Sequence, residues 1–194
     1  MKIVFAGGGS GGHVYPLLAV ASEIRELAKS EQIISPELFF LSENPYDART
    51  LFELGITYRK VSAGKIRRYF SILNFFDLFK TGWGTIKSLW EIFKIYPDVI
   101  FGKGGYASFP TLLSARILRI PVVIHESDSV PGRVNSWAGK FAEKIAISYP
   151  EASKYFPKEK IAYTGNPIRK DLVVPLTTNA HQFLNLDPKI PTIL

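Results

Sequence analysis

Short apolar runs alternate with longer amphipathic segments along most of this chain, and that alternation leaves few architectures open. Lys2–Ala6 reads as a buried strand. Over residues 14–29, Leu17, Leu18, Val20, Ala21, Ile24 and Leu27 fall on one helical face. Further strands are expected at 37–41, 57–61, 98–101, 121–125, Lys144–Ile147 and 161–164. Helices are expected at 46–54, near 108–118 and at 134–141, with Gly55 placed to stop the first of these. Strand, helix, strand, helix in this order predicts an α/β fold, a Rossmann-like doubly wound parallel sheet.

Composition narrows the class. A chain of 194 residues suits one domain with the start of a second. Hydrophobic residues make up 46% and charged residues 21%, which excludes a disordered chain. The net charge of +7 favours anionic partners: nucleotides, nucleic acid or acidic headgroups. The basic residues interleave with aliphatic ones and no nucleic-acid motif is present, so nucleic acid is not expected as a partner. The absence of cysteine removes disulfides, Cys-based zinc sites and thiol nucleophiles. No apolar run reaches the roughly 18 residues of a membrane-crossing helix. The apolar start, Met1 to Ala6, is too short for a signal-peptide core.

Two glycine loops carry the chemistry. Gly7-Gly8-Gly9-Ser10-Gly11-Gly12-His13 follows the first strand and opens the first helix. Glycine lets the backbone approach a ligand closely, and free N–H groups at a helix start favour an anion. Ser10 adds a hydroxyl. The glycines also satisfy G-x-G-x-x-G, a weak match alone. A dinucleotide reading needs an acid about 20 residues on, and Glu43 comes late for that. The helix dipole should lower the pKa of His13 and keep it neutral, which suits a general base; a cap or supporting donor is equally consistent. The second loop, Gly102-Lys103-Gly104-Gly105-Tyr106-Ala107-Ser108, also runs from strand to helix. Both loops should lie on the ligand-binding rim of the sheet, with Lys103 adding charge for a phosphate. His125, Glu126 and Asp128 follow another strand onto the same rim, as sugar-orienting groups, as a base or as helix caps.

Segment 66–96 is different. Tyr69, Phe70, Phe75, Phe76, Phe79, Trp83, Trp90, Phe93 and Tyr96 alternate with Lys65, Arg67, Arg68, Lys80, Lys87 and Lys94. Such mixing is typical of a surface lying on an anionic bilayer. Gly82 and Gly84 are expected to split the segment into two helices. Beyond Asn166-Pro167 the stretch 174–180 reads as a linker, and 191–194 as the first strand of another domain. The expected organisation is a domain over 1–164, then a linker and strand over 165–194.

The motifs taken together are specific. The first glycine loop with Pro16, Gly104-Gly105-Tyr106 with Pro110, His125-Glu126, and Gly165-Asn166-Pro167 with Arg169 occur in that order over essentially the whole chain. The chain thereby resembles the MurG family of peptidoglycan glycosyltransferases. The resemblance implies the N-terminal half of a GT-B glycosyltransferase, whose missing C-terminal domain holds most donor contacts. It implies transfer of N-acetylglucosamine from UDP-GlcNAc to lipid I, giving lipid II, at the cytoplasmic face of the bacterial plasma membrane. By the same resemblance, Ser10, Gly11, Gly12, Asp128 and Arg169 match donor contacts. His13, Gly104, Gly105, Tyr106 and Asn135 match the acceptor side, with His13 the first candidate for the base. Phe70, Phe75, Phe76, Phe79, Trp83, Lys80 and Lys87 would form the membrane face toward anionic inner-leaflet lipids. No metal or other cofactor is expected, since backbone N–H groups would steady the leaving diphosphate. The family usually has Thr at Ser10 and Asn at Asp128; an ionised Asp accepts but cannot donate. The chain alone is expected to be inactive. An NAD-type domain and the docking subunit of a split transferase remain as alternatives.

Overall fold

A computed structural model describes residues 1–65, 71–169 and 183–187. Seven strands form one parallel sheet: β1 (Lys2–Ala6), β2 (Glu37–Ser42), β3 (Ile56–Lys60), β4 (Val99–Gly102), β5 (Val122–Glu126), β6 (Lys144–Ile147) and β7 (Ile161–Tyr163). Their order is β3-β2-β1-β4-β5-β6-β7, so the winding reverses between β1 and β4. The helices are α1 (Gly11–Ser30), α2 (Ala48–Glu53), α3 (Leu73–Ile95), α4 (Phe109–Leu118) and α5 (Arg133–Ala138). The doubly wound parallel sheet and the seven strands expected over 1–164 are present, with ends moved by at most one residue.

The strands read as unbroken apolar runs because both sheet faces are covered. Ile3 and Phe5 point to one side, where they pack with Val14, Leu17, Leu18 and Ala21 of α1. Val4 and Ala6 point to the other, into a core with Ile92 of α3, Leu112 of α4 and Ile124 of β5. Each fully buried large side chain of this kind contributes about 1.5–3 kcal/mol. The ends of α2 follow from its sequence: Asp47 accepts the Thr50 N–H at 3.0 Å, and Gly55 stops the chain at φ +61°.

One expectation fails. Gly82 and Gly84 do not split the aromatic segment, because α3 runs unbroken from Leu73 to Ile95. The glycines serve contact rather than termination. A Cβ on Gly84 would overlap the Ser62 carbonyl, and one on Gly64 would overlap the Asp77 carbonyl, so helix and preceding loop touch backbone to backbone. Thr81, Thr85, Ser88, Ile92 and Ile95 form the rest of the buried face. Ser114 of α4 donates to the Thr85 carbonyl at 3.2 Å, fastening α4 to α3. Residues 66–70, with the expected membrane-face residue Phe70, lie outside the described residues, as do the 174–180 linker and the 191–194 strand.

The two glycines of α3 should respond oppositely to alanine. Gly84→Ala forces helix and loop apart and should cost about 1–3 kcal/mol in urea unfolding. Gly82, with nothing within 4 Å of a new Cβ, should gain up to about 1 kcal/mol from the better helix former. Equal effects at the two positions would contradict the packing described.

Candidate functional site

The first loop leaves β1 and the second leaves β4, and these strands pair in parallel with Ala6 opposite Gly102. The Lys103 N–H extends that ladder to the Ala6 carbonyl at 2.9 Å. The loops therefore rise side by side at the point where the winding reverses, the position at which such sheets bind ligands. They also touch. Gly105, at φ +76°, lies under the His13 ring, whose Cδ2 and Nε2 are 3.1 Å from where a Cβ would sit. Gly9, at φ +87°, is covered by the Tyr106 ring in the same way. Neither contact survives a side chain, and both conformations favour glycine.

His13 occupies the first turn of α1. Its Nδ1 lies 2.8 Å from Ser10 Oγ. With Nδ1–H donated to that hydroxyl, Nε2 presents its lone pair to the site. Burial lowers the His13 pKa, and the Lys103 ammonium lowers it further, against an opposing pull from Glu126 and Asp128. The imidazole is thus held toward its neutral form, as expected, with burial rather than the helix dipole leading. His13 lines a pocket of about 420 Å³ with Gly64, Thr81, Gly105, Tyr106, Phe109, Gly132, Arg133, Val134 and Trp137. Sequence reasoning missed Phe109, Arg133 and Trp137, because nothing local marks a residue that fills a pocket from another helix.

Ser10, Gly11 and Gly12 sit on the far side of His13. Gly11 and Gly12 line a smaller pocket of about 280 Å³ with Tyr15, Pro16, Pro167 and Arg169. The Arg169 guanidinium lies over the Tyr15 ring, 4.8 Å from its centroid. Three of the five donor-side candidates, Gly11, Gly12 and Arg169, thereby line one pocket, and Ser10 beside them contacts His13. Asp128 is exposed on the loop after β5, and its field reaches His13 and Lys103.

The residues after β5 serve the scaffold. Glu126 is 3% exposed, and both its oxygens are taken. Oε1 accepts the Asp128 N–H at 3.0 Å, and Oε2 accepts the Gly132 N–H at 3.1 Å and Asn135 Nδ2 at 3.0 Å. A carboxylate so engaged is a poor base; it fixes the loop and the start of α5. Asn135 also donates to the His125 carbonyl at 3.0 Å. It lies beneath Gly104 rather than in the open pocket, and its Oδ1 is buried without a partner. His125 is 1% exposed, with Nε2 3.0 Å from the Gly165 carbonyl, so it ties the Gly165-Asn166 turn to the sheet. Burial lowers its pKa too. Glu43, the residue a dinucleotide reading needed for a ribose, is instead paired with Lys80, and its charge adds to burial in raising the Tyr106 pKa.

On α3, Phe75, Phe76, Phe79, Trp83, Ile86, Trp90 and Phe93 are all exposed, forming a stripe opposite the buried face. Lys94 lies over Trp90 at 4.8 Å, and Lys87 is half-buried. Lys80, expected on the membrane face, turns to Glu43 at the rim. Among the described residues no cluster of His, Asp or Glu could hold a metal ion, and no helix is long and apolar enough to cross a membrane.

Comparison with known proteins agrees with this geometry. The family model described as the glycosyltransferase family 28 N-terminal domain matches residues 3–147. A Bacillus cereus UDP-N-acetylglucosamine–N-acetylmuramyl-(pentapeptide) pyrophosphoryl-undecaprenol N-acetylglucosamine transferase 2 is 39% identical over 193 residues, 99% of this chain and 53% of the relative. The transferase of that description from Treponema pallidum is 38% identical over 194 residues, 98% of this chain and 49% of the relative. The crystal structure of Acinetobacter baumannii MurG superposes with a TM-score of 0.66 at 26% identity, covering 90% of this chain and 48% of that one. A UDP-GlcNAc 2-epimerase from Methanocaldococcus jannaschii, 17% identical with a TM-score of 0.61 over 86% of this chain and 46% of that one, shares the fold. The fold and paired cradles thus define an α/β domain of the GT-B glycosyltransferase type. The chain belongs to glycosyltransferase family 28, by its N-terminal domain. It spans about half the length of the curated relatives it matches.

Buried, pKa-lowered histidines make stability depend on pH. Unfolded histidine takes a proton near pH 6.5, whereas folded His13 and His125 do so only at lower pH. Below about pH 6.5 the unfolded state therefore binds more protons, and stability falls as pH falls. Urea midpoints should drop on acidification through that range, and less so in His13→Gln. A drop of the same size in that variant would contradict the placement of His13.

Proposed function

We propose that this chain is the acceptor-binding half of a transferase that moves N-acetylglucosamine from UDP-GlcNAc to lipid I, giving lipid II. The observation that carries the reading is His13, held toward its neutral form across Gly105 and opening on the pocket of about 420 Å³ between the loops. The activity for which relatives at 38–39% identity are named supports the same reading.

In this mechanism the acceptor diphosphate rests against the second loop at Gly104, Gly105 and Tyr106. Asn135 supports that loop from beneath. The donor diphosphate rests at Ser10, Gly11 and Gly12, with Arg169 beside it and Asp128 across the rim. Nε2 of His13 takes the proton of the acceptor 4-hydroxyl as its oxygen forms a bond to the anomeric carbon. The bond from that carbon to the UDP oxygen breaks on the opposite face, and UDP leaves with the electron pair, so the centre inverts. Backbone N–H groups and the start of α1 stabilise the departing charge, a role that needs no metal. A second domain supplies most donor contacts, and without it the chain turns over no UDP-GlcNAc. The aromatic stripe of α3, with Lys87, lies on anionic lipid at the cytoplasmic face of the plasma membrane, as a peripheral contact.

Two measurements test this. In a two-domain transferase carrying this chain as its N-terminal half, His13→Gln should lower kcat by about 10²–10⁴-fold with little change in acceptor KM. An unchanged kcat removes His13 from the base role. The chain should float with vesicles containing phosphatidylglycerol, and a Phe75, Phe79 and Trp83 triple serine variant should stay at the bottom of the gradient. Equal flotation of the two would show that the stripe does not face lipid.

A further inference from the structure

Lys103 is the residue of the rim that the mechanism above leaves unused. It follows β4 and opens the second loop, and a Cβ on Gly7 would lie 3.5 Å from its own Cβ, so its stem lies against the first loop. It is 2% exposed. Lysine is almost never so buried without a paired charge. Yet among the described residues Lys103 makes no ion pair within 4 Å and no side-chain hydrogen bond. The nearby Glu126 cannot turn to it, because its oxygens already accept from Asp128, Gly132 and Asn135. Asp128, the other acid whose field reaches the ammonium, is exposed to solvent. The fold thus maintains a desolvated cation at the start of the second glycine loop and against the first, with its neighbouring carboxylate engaged elsewhere.

We propose that Lys103 is the counter-charge for a diphosphate held between the two glycine loops. The inference rests on the reading of this rim as a diphosphate site. An ammonium there adds charge-assisted hydrogen bonds to the neutral donors of the loop backbone. It also acts on His13. The charged groups whose fields reach that imidazole are Lys103 at the end of β4, Glu126 at the end of β5 and Asp128 on the following loop. Lys103 is the cation among them. One side chain therefore binds the anion and disfavours protonation of the histidine beside it.

The test uses the 194-residue chain with farnesyl diphosphate and UDP as probes in calorimetric titrations, and the His13 ring proton followed by NMR against pH. Lys103→Met should weaken one diphosphate probe by about tenfold or more, the worth of a hydrogen bond to a charged group. Lys103→Arg should keep most of the affinity. Loss toward farnesyl diphosphate assigns the charge to the lipid acceptor, and loss toward UDP assigns it to the donor. The His13 midpoint should rise in Lys103→Met and stay low in Lys103→Arg. If Lys103→Met fails to fold by circular dichroism, Lys103→Gln is read in its place. Wild-type affinity for both probes, or an unmoved His13 midpoint, overturns the proposal while leaving the diphosphate site standing. A wild-type chain that binds neither probe overturns the site itself, and this inference with it.

Discussion

Parallel pairing of β1 with β4 sets everything at the rim. The register that puts Ala6 opposite Gly102 starts the two loops at one height, one strand spacing apart. Loops that close interpenetrate only where side chains are missing. His13 therefore reaches over Gly105, and Tyr106 over Gly9, each ring using the space a Cβ would fill. The consequence is mutual positioning. The ring of the first loop's histidine is placed by the second loop's backbone, and the second loop's tyrosine by the first. A displacement of either strand moves both groups together, so base and anion cradle keep their relation.

The parts of this arrangement visible in sequence are those with local causes. Central strands buried on both faces must be apolar throughout, so β1, β2, β4 and β5 appeared as apolar runs. Glycine-rich turns between strand and helix announced themselves by composition. Gly82 and Gly84 misled because a glycine pair inside an amphipathic segment looks like a stop, and the Ser62 carbonyl that requires Gly84 belongs to another part of the chain. His125 and Glu126 were ambiguous for a similar reason. The Gly165 carbonyl that engages His125 is 40 residues away, and the donors that saturate Glu126 come from a loop whose path the sequence does not specify. The charge of Lys103 was legible; its burial depended on which strand became the neighbour of β4.

Electrostatically the rim is a balance among few groups. Glu126 is compensated by three hydrogen bonds, so its charge is spent on loop geometry. Lys103 lacks such compensation, and its field joins burial in holding His13 and His125 toward neutrality. A buried carboxylate and a buried ammonium so close would ordinarily pair, since each pays for desolvation. Here the carboxylate is satisfied from the other side. That separation leaves an uncompensated cation at the rim and an imidazole held toward neutrality near it, the two properties a site for an anion and a hydroxyl nucleophile requires.

The remaining link runs from the rim to the surface helix. The buried face of α3 is built from small residues, which lets its backbone approach the 61–65 loop and α4 closely. Its large apolar side chains are left on the outside, so tight packing within and an exposed aromatic stripe are two results of one sequence pattern. Lys80 joins the two regions. Instead of extending along the stripe, its ammonium meets Glu43 just past β2, and the charge of Glu43 reaches Tyr106. Tyr106 covers Gly9 and lines the pocket with His13. The Lys80–Glu43 pair thus fastens the helix proposed to lie on lipid to the end of β2, at the rim that carries the loop proposed to hold the lipid's diphosphate. With Thr81 of α3 also lining that pocket, the helix is both a wall of the pocket and an outer surface, so packing rather than a hinge sets the distance between the proposed lipid face and the proposed acceptor loop.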